Sequence, residues 1–164
     1  MQLIRCTQKL IKELRIEPSE KEAQPGNIGG WHANLLRIER RKCILFTNDR
    51  TLYSFFVPGL KKPEFERFRE VFRHNLFKCL INNGFSQNQI ERVLSEYQTI
   101  GIAKTNNRSV LGSMNDFAFQ IKYRVATFGG LENTDLIILN RELNHTPIGA
   151  IKYMYSIELL RSML

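Results

Sequence analysis

With 164 residues the chain is long enough for one domain and too short for two of ordinary size. Hydrophobic residues make up 43% and charged residues 24%, the balance of a globular protein. No polar tract, glycine repeat or long apolar run is present, which excludes disordered, collagen-like and membrane-spanning classes. Lys and Arg total 24 against 16 Asp and Glu, a formal charge of +8 and a pI of about 9.6.

That excess is uneven. Up to residue 75 there are 15 basic and 9 acidic residues; the remainder holds 9 and 7. The start, Met1 to Cys6, turns polar at Gln8, Lys9 and Lys12. It lacks the apolar stretch of about 7–15 residues that a secretory leader needs. Cys6, Cys43 and Cys79 are far apart, each among apolar neighbours, with no Cys-x-x-Cys pair. Reduced core cysteines, no zinc knuckle, no membrane partner and a cytoplasmic location are expected.

Residues 2–6 read as a short strand, and Thr7 as the cap of a helix through Leu10, Ile11 and Leu14. From Glu17 to Gly30 two prolines, three glycines and three glutamates predict a mobile loop, closed by the only tryptophan, Trp31. Residues 33–39, 42–47 and 51–57 are rich in β-branched and aromatic residues. Turns at Arg40-Arg41 and Asn48–Arg50 make them a three-stranded antiparallel meander. Its middle strand is apolar on both faces, so it belongs inside a sheet covered by helices.

Pro63 opens a helix whose stripe is Phe65, Phe68, Phe72, Leu76 and Cys79/Leu80, stopped by Asn83-Gly84. Ser86-x-x-Gln89 is a capping box for a helix carrying Ile90, Val93, Leu94 and Tyr97. Residues 99–104 read as a strand. A long helix with Val110, Met114, Phe117, Ile121, Val125 and Phe128 follows, closed by Gly129-Gly130. Leu136, Leu139 and Leu143 define another helix, and Ser156 to Leu164 a last turn or two. Residues 1–164 are thus one α+β domain with a mixed sheet and about five helices.

Three stretches carry a family resemblance: Cys6-Thr-Gln-Lys-Leu10, Trp31-His-Ala-Asn-Leu-Leu36 with Leu45-Phe-Thr-Asn48, and Ala103 to Phe117 (AKTNNRSVLGSMNDF). Together the chain resembles a family of bacterial proteins classed only as a domain of unknown function. The resemblance implies a compact stand-alone bacterial domain. It implies no activity, substrate or catalytic residue.

Two constellations could carry chemistry. The first is the strand–helix junction at Lys104, where free backbone N–H groups and the helix dipole favour anions. If strands 2–6 and 99–104 lie parallel and adjacent, Thr7, Gln8, Lys104, Asn107 and Arg108 would meet in one polar pocket. Ser109 and Asp116 share one adjoining helix face; Asn115 and Gly112 share the next. Such a pocket would take an anionic small molecule bearing phosphate or carboxylate. Ordinary capping and hydrogen-bonded ties account for the same residues without a ligand. No phosphate-loop or dinucleotide glycine pattern accompanies them.

The second constellation is basic. Arg37, Arg40, Arg41 and Lys42 crowd the first hairpin tip, Arg50, Lys61 and Lys62 lie close in sequence, and Arg67, Arg69 and Arg73 follow. These suit phosphates of a nucleic acid or an acidic protein, and equally a solvated hairpin tip. His32, His74 and His145 lack metal-ligand spacing, so neither a metal nor another cofactor is expected. Asp49 and Asp116, or Cys6 beside Lys9, are thin candidates for catalysis. The expected function is a non-catalytic binding module for nucleic acid or an acidic partner. The alternative is a ligand-binding or enzymatic domain with its anion pocket at residues 104–109.

Overall fold

Apolar residues alternate along the strands of the first half, and the chain uses both phases of that alternation. The computed structural model describes residues 1–164, which build one five-stranded mixed sheet with helices on both faces. In chain order the elements are β1 (Gln2–Cys6), α1 (Gln8–Leu14), β2 (Trp31–Ile38), β3 (Arg41–Asn48), β4 (Ser54–Val57) and α2 (Lys62–Glu66). Then come α3 (Phe68–Asn82), α4 (Gln87–Ser95), β5 (Ile100–Lys104), α5 (Arg108–Phe128), α6 (Leu136–Leu143) and α7 (Ser156–Ser162). Short 3-10 turns lie at Leu131–Asn133 and Gly149–Ile151.

Strand order is β4-β3-β2-β1-β5. β2, β3 and β4 form the antiparallel meander, while β1 is parallel to β2 on one side and to β5 on the other. Trp31, Ala33, Leu35, Ile44 and Phe46 enter the larger core with Leu10, Phe65, Phe68, Phe72, Ile90 and Leu160. Leu36, Ile38, Cys43 and Leu45 enter the second core with Val110, Met114, Phe117, Ile121, Leu139 and Leu143. So α1, α2, α3, α4 and α7 cover one face and α5 and α6 the other, with β3 buried on both sides as expected.

Several boundaries move for local reasons. The first turn is Glu39-Arg40 and not Arg40-Arg41, because Ile38 pairs with Arg41 and both turn residues take positive φ (53° and 65°). This two-residue geometry matches the twist of the flanking strands. The third strand starts at Ser54 and not at Thr51. Asn48 Oδ1 accepts from the N–H groups of Arg50 and Thr51 and from the Thr51 hydroxyl, and this holds the turn open. The helix read from Pro63 breaks at Arg67 into α2 and α3, although its stripe stays buried across the break. With that break and a separate C-terminal helix, the helices number seven.

Thr7 stands at the N-cap of α1, but its hydroxyl does not cap; it donates to Asn34 Oδ1 at 2.9 Å. By contrast the capping box is present. Ser86 Oγ accepts from the Gln89 N–H, and Gln89 Oε1 accepts from the Ser86 N–H. The 17–30 segment is a loop tied to the sheet edge at Ser19 N–H to Ile102 O (2.6 Å) and Gln24 N–H to Met1 O (3.1 Å).

Candidate anion-binding cleft

Four parts of the chain carry their cations to one place. The β2–β3 turn brings Arg40, and the start of β3 brings Arg41 and Lys42. The Leu60 N–H donates to Lys42 O at 2.8 Å, which draws the 58–62 segment beside β3 and sets Lys61 and Lys62 next to it. The crossover helix α1 ends there too and supplies Glu13, Leu14 and Arg15. Together with Phe65 and Glu66 these residues line a cleft of about 980 Å³ with an apolar floor of Leu14, Leu60 and Phe65. Six cations face two carboxylates.

Their pairing is incomplete. Lys42 contacts Glu13, and Arg41 Nη2 donates to Glu132 Oε1 at 3.1 Å. Arg15, Arg40, Lys61 and Lys62 make no ion pair. Arg37 stands directly opposite Lys42 across the β2–β3 ladder, an unfavourable placement of like charges at the cleft's edge. Two of the unpaired arginines also hold left-handed backbone: Arg15 (φ 56°) at the C-cap of α1 and Arg40 (φ 65°) in the hairpin turn. Gly or Asn suits both positions better. Glu39, beside Arg40 in the same turn, has a structural reason to be there, since its carboxylate accepts from the Leu131 N–H.

A family model described as "Domain of unknown function (DUF6933)" matches residues 3–159. The chain belongs to the DUF6933 family. No curated protein and no solved structure matches it.

Of the ten basic residues singled out from the DUF6933 sequence, Arg40, Arg41, Lys42, Lys61 and Lys62 line the cleft and Arg37 borders it. Arg67, Arg69 and Arg73 lie outside it, Arg69 and Arg73 donating to the carbonyls of Ile100 and Tyr97. Arg50 lies outside it too. It sits at the opposite end of the hairpin, where Nη1 donates to the carbonyls of Gly26 and Asn27 at 2.6 Å each. Arg15 and Glu13 are additions that the sequence reading missed. Their one signal was position, flanking Leu14, the last residue of the α1 stripe.

The junction residues of the DUF6933 chain are more dispersed. β1 and β5 are parallel and adjacent, but α1 and α5 leave them toward opposite faces of the sheet. Asn107 Oδ1 caps α5 by accepting from the Val110 N–H, and Arg108, Ser109, Asn115 and Asp116 are exposed. Nothing lies within 4 Å of a methyl built on Gly112, so no close approach requires that glycine. Only Gln8 and Lys104 of this set line a second cleft, of about 830 Å³, on the far side of α1. There Arg5, Lys12, Lys21 and Lys104 face Glu17, Glu20 and Glu22, a nearly balanced charge set.

Asp49 pairs with His32, not with Asp116. His32 is fully buried, its Nδ1 lies 2.6 Å from Asp49 Oδ1, and its Nε2 faces the Asn106 N–H at 3.5 Å. The pair ties the meander to the loop ahead of α5. A faint signal was present: His32 and Asn34 are polar at alternate positions in the otherwise apolar first part of β2. Burial pushes the Cys6 thiol far above its ordinary range and the Cys79 thiol up to about 12, so neither is a thiolate nucleophile at neutral pH. No group of three His, Cys, Asp or Glu side chains is placed to hold a metal. No helix is long and apolar enough to cross a membrane.

Proposed function

We propose that this DUF6933 protein is a binding module that holds the phosphate backbone of a nucleic acid in the cleft between the β2–β3 turn, α1 and α2. The observation that carries the reading is the convergence of six cations from separate parts of the chain on one concave site, four of them without an ion pair. Surface cations that serve only solubility are normally interspersed with acids and need no shared cleft. The two arginines in left-handed backbone add to this. Each such residue costs roughly 1 kcal/mol, and neither arginine side chain makes an ion pair within the protein that would account for its place there; strained backbone of this kind gathers at functional sites. Arginine forks match phosphate oxygens in geometry as well as charge, as a phosphate backbone lying along the cleft would require. The junction at Lys104 draws less support, because three glutamates share its cleft.

Titration of single-stranded DNA and RNA against salt tests the reading. Binding should weaken linearly in log–log form, with a slope set by the number of phosphates contacted. Replacing Arg40, Arg41 and Lys42 by Ala should blunt both affinity and slope, while Lys104→Ala with Arg108→Ala should leave both unchanged. Absence of binding at low salt, or binding only to an acidic peptide, would overturn it.

A further inference from the structure

The cleft contains an anion of its own. Glu13 projects from the last turn of α1 onto Lys42 of β3, and both side chains are largely shielded, at 25% and 34% exposure. Lys42 is thereby the one cation of the cleft already neutralised from within it. It is also the one set directly opposite another cation, Arg37.

We infer that the Glu13 carboxylate occupies the place of a ligand phosphate in the cleft and restricts it to ligands carrying several phosphates. This rests on the nucleic-acid reading above. A lone phosphate or carboxylate that takes Lys42 from Glu13 exchanges one anion for another. It must also displace a carboxylate that is held beside Lys42 by the chain itself, at high effective concentration. That exchange gains nothing. A strand bearing several phosphates displaces Glu13 once and in the same event engages Arg15, Arg40, Lys61 and Lys62, which have no internal partner to lose. Glu13 therefore acts as a threshold on ligand charge: the cleft ignores single anions and accepts polyphosphate chains.

The test uses Glu13→Gln, which keeps the volume and an acceptor oxygen for Lys42 but removes the charge, with Glu13→Ser as a second variant should glutamine perturb folding. An oligothymidylate of about 12 nucleotides is titrated by fluorescence anisotropy at several salt concentrations. Glu13→Gln should bind about two- to fivefold tighter than the wild type. Its salt slope should steepen by about 0.7, since Lys42 now joins the count of released counterions. The gain should vanish in a Lys42→Ala background, because it acts through that residue. Inorganic phosphate should raise the melting temperature of Glu13→Gln and leave that of the wild type unmoved. The inference is overturned if Glu13→Gln binds no tighter, or if the gain persists undiminished with Lys42→Ala. A wild type that binds the strand through the cleft while Glu13→Gln matches it defeats this inference alone. A wild type that binds no strand at low salt defeats the nucleic-acid reading as well.

Discussion

The side chain of Asn144, the C-cap of α6, serves Ser54 as a neighbouring strand would: its Oδ1 accepts from the Ser54 N–H and its Nδ2 donates to the Ser54 carbonyl, both at 2.8 Å. One helical turn earlier, Asn140 Oδ1 accepts from the Phe56 N–H at 2.8 Å. β4 is the outer strand of the sheet, and its free edge is otherwise an open row of backbone groups. Two asparagines at i and i+4 close that edge from a helix that could not pair with it by backbone. Asn144→Leu should therefore leave both polar groups of Ser54 buried and unsatisfied, at a cost of about 2–4 kcal/mol. Urea denaturation should report the loss as a lower midpoint at unchanged slope. A shift under about 0.5 kcal/mol would mean that water reaches the edge.

Glu96, just past α4, does similar work for the long loop. Its two carboxylate oxygens accept from the N–H groups of Asn27, Ile28 and Gly29 at 2.9 to 3.2 Å. Three successive amides turned toward one carboxylate form an anion nest supplied from within the chain. Glu96→Ala should cost about 2 kcal/mol and speed amide exchange at residues 27–29 well beyond that of the core strands. Exchange that rises uniformly across the protein would show global loosening, not release of this segment.

Why some of this was legible and some not follows from what each relationship depends on. The α5 stripe from Val110 to Val125 and the alternation in β2 and β3 are local, so periodicity alone places those elements. Five cleft cations were legible together because Arg40, Arg41 and Lys42 stand at the β2–β3 turn, and β4, antiparallel to β3, returns the chain to that same end of the meander just before Lys61 and Lys62. Arg15 was not, because its arrival depends on the path of α1 across the sheet. The junction pocket failed to assemble from its residues for a different reason. Spacing predicts that β1 and β5 end together, but not which face each following helix takes. His32 and Asp49 lie 17 residues apart and meet only once the hairpin register is set.

Burial of ionisable groups sets the response to alkali. Desolvation raises the pKa of Cys6, Cys43, Cys79, Tyr53 and Tyr97 above their ordinary values of 9.0 for Cys and 10.0 for Tyr. The folded protein keeps these protons where the unfolded chain has released them. Stability is thus intact below pH 9.0 and falls as pH rises through the window toward about 12, the value reached by Cys79. Each group ionised only in the unfolded chain costs about 1.4 kcal/mol per pH unit. Urea midpoints should be flat up to about pH 9 and fall steeply above it, with a shallower fall in Cys79→Ala. A midpoint that holds to about pH 11 would show that these groups reach water in the folded state.

Arg40 offers the sharpest separation of stability from function. Its left-handed backbone (φ 65°) favours glycine, and its side chain makes no ion pair or hydrogen bond within the protein. Arg40→Gly removes the steric cost of a Cβ at that position but adds freedom to the unfolded chain, so the fold should gain between a few tenths and about 1 kcal/mol. Arg40→Ala keeps the Cβ and should change stability little. If the arginine is held there for a ligand, both variants should lose affinity for single-stranded nucleic acid equally, about threefold to tenfold at moderate salt. Thermal melts and binding titrations on the same two proteins then divide the alternatives. Two variants that bind as the wild type does would make the hairpin tip a solvated turn. Two that lose binding, one of them while gaining stability, would show that this residue is retained against the preference of its own backbone.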